Sequence, residues 1–173
     1  MTSSVLETSR LKIRKPLPED FPAFEAFCAR DRSKWVGGPV DRRDAWEGFT
    51  SNLGHWVMRG YGYFHVEMKE TGDAVGRVGL RRTIDRPETE VAFSLYEDRF
   101  EGMGLAYEAA SAVRDHGYTD LELPSIVSYI HPDNVRSIAL AKRMGAGLDP
   151  NAPLWPTHKD LLVFRHPTPE DLQ

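Results

Sequence analysis

The chain has 173 residues, of which 40% are hydrophobic and 28% charged, and its formal net charge is −4. This composition predicts one globular domain with a sizeable core, and the absence of a basic block argues against nucleic-acid binding. The single cysteine, Cys28, excludes an internal disulfide and suits a reducing compartment. Residues 1–7 lack the pattern of a signal peptide, and no apolar run approaches the roughly 18 residues that span a bilayer. We therefore expect a cytoplasmic protein without a membrane segment.

The first part of the sequence predicts one strand followed by two helices. Residues 11–14 alternate as in a strand, and a helix begins at Pro18 with acidic residues in its first turn. Residues 31–40 contain Gly and Pro breakers and predict a loop. Asp41 or Asp44 caps the second helix. The residues expected to form the buried faces of the two helices are Phe21, Phe24, Cys28, Trp46, Phe49, Leu53, Trp56 and Val57.

The middle and the end of the chain predict further strands. Residues 61–69 and 74–80 alternate and are joined by a hairpin turn at residues 71–73. The two glycines of the second of these strands favour the close approach of a neighbouring backbone. Apolar runs at residues 90–95 and 161–164 predict two more strands. The order of all predicted elements, β-α-α-β-β-β-α-β-α-β, indicates an α+β fold with helices around one sheet.

The stretch from Arg99 to Gly104 links a strand to an Ala-rich helical pattern that runs to Gly117. Its two glycines let backbone N–H groups approach a phosphate, and the positive end of the helix dipole points at the same place. A dinucleotide fingerprint needs glycine where Tyr107 stands, and a P-loop needs Lys and Ser or Thr after Gly104. The spacing Arg-x-x-Gly-x-Gly fits the pyrophosphate loop of coenzyme A acetyltransferases. A glycine-rich turn without a ligand is the alternative interpretation.

A second element follows this helix. A strand at residues 126–131 leads to Asn134, which opens a helix that contains Ser137 and closes on Gly145 and Ala146. This order resembles the GNAT superfamily of N-acetyltransferases, in which Asn opens a helix after a strand, Ala or Ser follows three residues on, and Gly plus an apolar residue ends it. The family usually has Phe at the place of Ala146.

Ser137, together with the run Tyr107-Glu108-Ala109, is most similar to the branch that contains ribosomal-protein N-terminal acetyltransferases of the RimJ and RimL type. The resemblance implies a GNAT fold with one mixed, mostly antiparallel central sheet, splayed in the middle and flanked by about four helices. It also implies a further hairpin strand near the C-terminus. We expect a single N-acetyltransferase domain over residues 1–173, with a cofactor-binding core at about 88–146 and a loose tail at about 166–173.

The cofactor that the resemblance implies is acetyl-CoA, with its pyrophosphate on the backbone of the turn and its pantetheine arm in the splayed sheet. Glu101 lies inside the turn, so its carboxylate must point away from the phosphates. The residues expected to bind the cofactor are Phe93, Ser94, Leu95, Arg99, Phe100, Glu101, Gly102, Met103, Gly104, Leu105, Ala106, Asn134, Arg136 and Ser137. The scattered histidines and the lone cysteine predict no metal site.

Acetyl transfer to an amine needs a base, because amines are largely protonated at neutral pH. Glu90 opens the strand that should face the thioester and is the first candidate, with a surface carboxylate as the alternative. His131 is the second candidate, although Pro132 follows it and it could serve only to shape the start of the helix. Many GNAT members place a Tyr where Ala141 stands. Ser137 is the substitute expected to donate a hydrogen bond to the thiolate.

The resemblance implies an enzyme that moves an acetyl group from acetyl-CoA to a primary amine by direct attack in a ternary complex. The acceptor is the N-terminus of a protein or a small-molecule amine, and a homodimer is left open. A coenzyme A-binding module without turnover is the alternative, since the Tyr is missing at Ala141. A nucleotide-binding protein of another fold is a third interpretation.

Overall fold

The computed structural model describes residues 5–172 of the chain. This part contains eight strands and four α-helices, joined by loops and short 3-10 helices. The strands are β1 (Val5–Glu7), β2 (Leu11–Arg14), β3 (Tyr63–Met68), β4 (Ala74–Arg81), β5 (Glu90–Leu95), β6 (Val127–Ile130), β7 (Gly147–Leu148) and β8 (Leu162–Arg165). The helices are α1 (Phe21–Cys28), α2 (Arg42–Arg59), α3 (Leu105–Thr119) and α4 (Val135–Arg143). Residues 1–4 and residue 173 lie outside the described range. The expectation about a signal peptide concerned residues 1–7, and the expected loose tail covers residues 166–173, so the structure describes each of these segments only in part.

The strands form one sheet in the order β1-β2-β3-β4-β5-β6-β8-β7. Neighbouring strands are antiparallel except for β5 and β6, which are parallel and register at a single pair, Glu90 with Val127. Just past that pair, Ser128 Oγ donates a hydrogen bond to the Val91 carbonyl at 2.8 Å. Beyond it the two strands separate. The prediction of a mixed, mostly antiparallel sheet that is splayed in the middle is confirmed.

The two faces of the sheet carry different helices because side chains alternate along each strand. On one face α3 packs its buried residues, among them Ala110 and Val113, against Val66, Val78 and Leu80 of the sheet. On the other face α1 and α2 form an aromatic cluster that meets Tyr96 after β5. We call the gap between β5 and β6, past the point where the two strands separate, the fork. It therefore opens beside the start of α3 on one side of the sheet and below α1 on the other.

The glycines of β4 behave as the sequence predicts. A Cβ on Gly76 would lie 2.1 Å from the Ser94 carbonyl oxygen, and one on Gly79 would lie 2.4 Å from the Tyr63 Cα. No side chain fits at either position, since real Cβ atoms do not approach backbone this closely. The hydrogen-bonded strands on either side therefore require glycine here.

Several segments differ from the expectation. The region expected as a loop contains a 3-10 helix, Asp31–Val36. On α2, Val57 is 81% exposed, and Trp46 is 49% exposed although its ring packs on that of Phe21 of α1, with the ring centroids 4.9 Å apart. β1 was not foreseen. The tail expected to be loose forms a 3-10 helix, Glu170–Leu172, and a Cβ on Gly145 would lie 3.1 Å from Leu172, so this segment packs on the end of α4.

Candidate active site

The turn between β5 and α3 presents unpaired backbone donors. Gly102 and Gly104 have φ of 70° and 76°, the left-handed conformation that favours glycine. Gly104 is the N-cap of α3 and gives the helix no capping side chain, whereas Asp41 caps α2 and Asn134 caps α4. The first N–H groups of α3 are therefore free to bind an anion. A Cβ on Gly102 would meet no atom within 4 Å, so the space in front of the turn is open.

Side chains of the turn are directed into the protein or into ion pairs. Phe100 and Leu105 are buried in the core, so only their backbone can face a ligand, and Met103 is 45% exposed. Arg99 pairs with Asp73 at 3.0 Å and with a neighbouring glutamate, and its side chain is half exposed. The turn itself is held from behind by Arg10, whose Nη1 donates to the Met103 carbonyl at 2.9 Å.

Glu101 joins the turn to α4 through Arg136. The carboxylate lies 2.5 Å from Nη1 of Arg136 and 2.5 Å from Nη2 of Arg32. The hydrogen bond from Arg32 lowers the pKa of Glu101. The carboxylate is thus satisfied by arginines, one of which was expected to meet the phosphates.

Arg32 was missed by sequence analysis. It lies in the 3-10 helix after α1, its Nε donates to the Leu95 carbonyl at 2.8 Å, and it also pairs with Asp98. It therefore ties the segment after α1 to the end of β5 and to the turn. No local motif marks an arginine that acts through three residues more than 60 positions away.

The edge of β5 that faces β6 has no partner strand past Val91 in the described range. Phe93, Ser94 and Leu95 lie on this part of the strand and are partly exposed. Backbone groups without a strand partner can pair with an extended ligand, in the manner of an added strand. The fork thus offers a slot that leads from the phosphate turn into the sheet.

Asn134 and Ser137 lie on the opposite side of the fork. The Oδ1 atom of Asn134 accepts a hydrogen bond from the Ser137 N–H at 3.3 Å, so Asn134 caps α4, and its side-chain N–H groups remain free among the described residues. Ser137 Oγ likewise makes no hydrogen bond within residues 5–172. Both side chains therefore keep donors that a ligand in the fork can use.

Glu90 lies at the base of the fork and is buried, with 6% of its surface exposed. Arg86 Nη1 lies 2.7 Å from its Oε1. Burial raises the pKa of the Glu90 carboxyl above its ordinary value, against the opposing effect of Arg86 and two further arginines. A buried carboxyl with a raised pKa suits a general base at neutral pH. The alternative of a surface carboxylate does not agree with this burial.

His131 lies at the mouth of the fork, where its ring centroid is 4.9 Å from that of Trp35. Its Nδ1 accepts a hydrogen bond from the Asp133 N–H at 3.1 Å, which assigns the proton of the neutral ring to Nε2. Nε2 lies 3.9 Å from a carboxylate oxygen of Asp160. The lone pair of the neutral ring lies on Nδ1, where it accepts this hydrogen bond and holds the turn before α4. This lone pair is therefore already occupied, and of the two candidate bases the geometry favours Glu90.

In the part of the chain that the structure describes, one cluster of metal-binding side chains is present, formed by Asp20, His65 and Glu67. Arg14 bonds both carboxylates, with Nη1 2.7 Å from Asp20 Oδ2. A guanidinium therefore already supplies the positive charge that the buried carboxylate of Asp20 and the half-buried carboxylate of Glu67 need. The absence of a metal remains a prediction.

Comparison with known proteins identifies the family of the chain. A family model described as an acetyltransferase (GNAT) domain matches residues 10–147. The chain belongs to the GNAT family of acetyltransferases, and its cofactor is acetyl-CoA.

Particular relatives support the assignment. The chain is similar to an acetyltransferase from Agrobacterium tumefaciens, with 39% identity, a TM-score of 0.89 and coverage of 97% of this chain and 96% of that one. It is 25% identical to the Bacillus subtilis protein YkkB over 92% of this chain and 93% of YkkB. The ribosomal-protein-S5-alanine acetyltransferase of Vibrio fischeri shares the fold, with 16% identity, a TM-score of 0.72 and coverage of 98% of each chain. RimL in complex with coenzyme A also shares it, with 15% identity, a TM-score of 0.72 and coverage of 94% and 95%.

The residues of the fork fit coenzyme A. Uncapped N–H groups at the start of α3 match a diphosphate, the open space at Gly102 leaves room for it, and the free edge of β5 matches the amides of a pantetheine arm.

Among the described helices, none combines the length and the apolar character that crossing a bilayer requires.

Proposed function

We propose that this protein transfers the acetyl group of acetyl-CoA to a primary amine, which attacks directly in a ternary complex. The observation that carries the proposal is the open fork, which joins an uncapped helix start at one end to the buried carboxyl of Glu90 at the other. Membership of the GNAT family supports the same reaction.

Each side of the fork has a separate task in this proposal. The backbone from Arg99 to Ala106 holds the diphosphate, with the helix dipole adding to the attraction. The free edge at residues 93–95 and the Asn134 amide hold the pantetheine arm, and acetyl-CoA supplies the acetyl group as a thioester. Ser137 Oγ donates a hydrogen bond to the sulfur.

Glu90 takes the proton of the amine in this proposal. It lies three residues before Phe93, which corresponds to roughly 10 Å along a strand. A carboxylate at this distance acts through water. Its raised pKa places it closer to neutrality than an exposed glutamate, which strengthens it as a base at neutral pH.

Direct attack agrees with the nucleophiles in the chain. Cys28 is buried and free, and burial raises the pKa of its thiol, so the reactive thiolate is disfavoured. Ser128 Oγ, next to the fork, already donates to a backbone carbonyl. Neither side chain suits the role of a covalent acetyl carrier.

The acceptor lies on the α1 side of the sheet in this proposal, below Trp35 and near the C-terminal strands. The fold shared with ribosomal-protein acetyltransferases keeps a protein N-terminus among the candidates beside small amines. A homodimer and a cytoplasmic location remain predictions from the sequence.

The second candidate is a coenzyme A-binding module without turnover. Ala141 favours it, because this residue is buried against Ile130 and Phe164 and offers no phenol to the fork. The test is release of free thiol from acetyl-CoA with a broad panel of primary amines, beside calorimetric titration of acetyl-CoA. Tight binding without thiol release in any reaction would establish the module and refute the enzyme.

A further inference from the structure

The acceptor side of the sheet carries an unusual group of charges around Glu90. In the register of β4 and β5, Arg81 lies opposite Glu90, Gly79 opposite Ala92, and Arg77 opposite Ser94. Paired residues of antiparallel strands point to the same face, and alternate residues share it. This face is the one that α1 covers, since the Arg77 guanidinium lies 5.0 Å from the ring centroid of Phe24.

Arg77 is the buried arginine of this group, and within the described residues it forms no ion pair. Three arginines are buried in the described chain: Arg77, Arg86 and Arg114. Arg86 lies 2.7 Å from Glu90, and Arg114 pairs with Asp115 at 2.7 Å and donates to a carbonyl. Arg77 is 9% exposed, its Nε has no hydrogen-bond partner, and it forms no ion pair within residues 5–172. A buried charge without a counter-ion is costly unless something else supplies one.

Aromatic rings fix the position of this guanidinium. It lies 4.4 Å from the ring centroid of Tyr63 in addition to its contact with Phe24. Such contacts orient a cation but give its N–H groups no acceptor. The carboxylates of this face are already paired with other arginines: Glu90 with Arg86, and Asp20 and Glu67 with Arg14. The face thus has more positive than negative charge.

Small residues lie between the charged groups; the place of a side chain at Gly79 is filled by the backbone of Gly62 and Tyr63. Gly79 and Ala92 separate the pair Arg77 and Ser94 from the pair Arg81 and Glu90, and Ala92 and Ser94 are both partly exposed. Arg77 is therefore opposite the strand segment that borders the fork, where the acceptor amine must arrive in the proposed reaction. If Arg77 binds a chemical group of the acceptor, only a few covalent bonds of the acceptor separate that group from the reacting amine.

We propose that Arg77 binds the carboxylate of the acceptor, and that the acceptor is a free amino acid. This inference rests on the proposed function, whose amine it places. The planar guanidinium offers two parallel donors that match a carboxylate. An amino acid has a carboxylate close to its amine, whereas the N-terminal residue of a protein has a neutral amide at that place.

The test uses matched pairs of acceptors with acetyl-CoA: L-amino acids and their primary amides, which differ only in the carboxylate, together with short peptides. Thiol release gives kcat and KM for each. We expect at least one amino acid to exceed its amide by about tenfold or more in kcat/KM. In Arg77→Met, the value for the acid falls by roughly 10- to 100-fold, mainly through KM, and the value for the amide stays within about twofold.

Arg42→Met is the matched control, because Arg42 also contacts a ring, that of Phe21 at 5.7 Å, but lies exposed on α2. It should preserve the preference for the acid. Arg77→Lys keeps the cation and loses the two-donor geometry, so it should fold and lose most of the preference. Equal rates for acids and amides, a preference for peptides, or an equal loss for both substrates in Arg77→Met would overturn the proposal and leave Arg77 a structural residue.

A binding experiment separates this inference from the proposed function. N-acetyl amino acids, the products, should raise the melting temperature of the wild-type protein and not that of Arg77→Met. If no amine is acetylated, the proposed function fails, and this shift alone decides on Arg77. Absence of the shift in the wild-type protein would reject the carboxylate site.

Discussion

Replacement of Gly102 by alanine tests the phosphate turn, because Gly72 offers a control with the same local geometry. Gly102 has φ of 70° and Gly72 has φ of 73°, and a Cβ on either glycine would meet no atom within 4 Å. Gly72 lies in the hairpin between β3 and β4. The two substitutions therefore impose the same backbone strain and no steric clash, and only Gly102→Ala adds a group to the surface that faces the fork.

The strain can be given a magnitude. An L-residue in the left-handed region costs about 1–2 kcal/mol relative to glycine. For a chain of this size each kcal/mol lowers the melting temperature by about 2–4 °C. Both variants should thus melt about 2–8 °C below the wild-type protein when no cofactor is present.

Cofactor affinity should separate the two variants. A methyl group on Gly102 occupies the space where the diphosphate approaches the backbone, so contact with the N–H groups is lost. We expect acetyl-CoA to bind Gly102→Ala at least about tenfold more weakly, a loss of about 1.4 kcal/mol, and Gly72→Ala to bind within about twofold of wild type. Isothermal titration calorimetry measures both. Equal affinities in the two variants would show that the turn does not hold the diphosphate.

Three further predictions concern buried or paired charges. Burial raises the pKa of Glu90, so the wild-type rate should fall as the pH drops through the pKa of this carboxyl. Glu90→Gln should lose most of its activity near neutral pH and regain it at high pH, where the amine loses its proton without a base. An unchanged pH–rate profile would remove Glu90 from the mechanism. Glu101→Gln frees Arg136 from its ion pair and should tighten acetyl-CoA binding by about two- to tenfold at low ionic strength, with a smaller gain at high salt; weaker binding in calorimetry would contradict this. Burial lowers the pKa of His166 to about 4, so the unfolded chain binds the proton more readily and stability falls as pH drops below about 6.5. This contributes about 2 kcal/mol between about pH 7 and pH 5, and urea unfolding of His166→Gln should show a pH dependence smaller by that amount.

Local patterns in the sequence were enough to predict most of the elements. β2 and β5 begin and end where alternation and apolar runs indicated, Asp41 caps α2, and Gly104 opens α3. These features depend on side-chain periodicity and on the backbone preferences of residues near each other in the chain. For the same reason six consecutive residues were enough to suggest a phosphate turn as a hypothesis.

Exposure on helix α2 was harder to predict. Trp46 and Val57 share the apolar periodicity of Phe49 and Trp56, yet they lie at the solvent. Periodicity identifies which residues share a face, but how much of that face is covered depends on where α1 and the sheet pack against it. β1 escaped prediction for a related reason, since three residues carry too little pattern to indicate a strand.

The sequence by itself predicted most of the order of elements, and it supplied the hypotheses of a phosphate turn and of Glu90 as the base. Only the tertiary structure decided how charges combine around the fork: that Glu90 is buried beside Arg86, that Arg32 and Arg136 meet at Glu101, and that Arg77 forms no ion pair with any residue from 5 to 172. Arg32 and Arg136 lie 69 and 35 positions from Glu101 in the chain, and the energies of all these charges depend on distances and burial that exist only after the strands have paired.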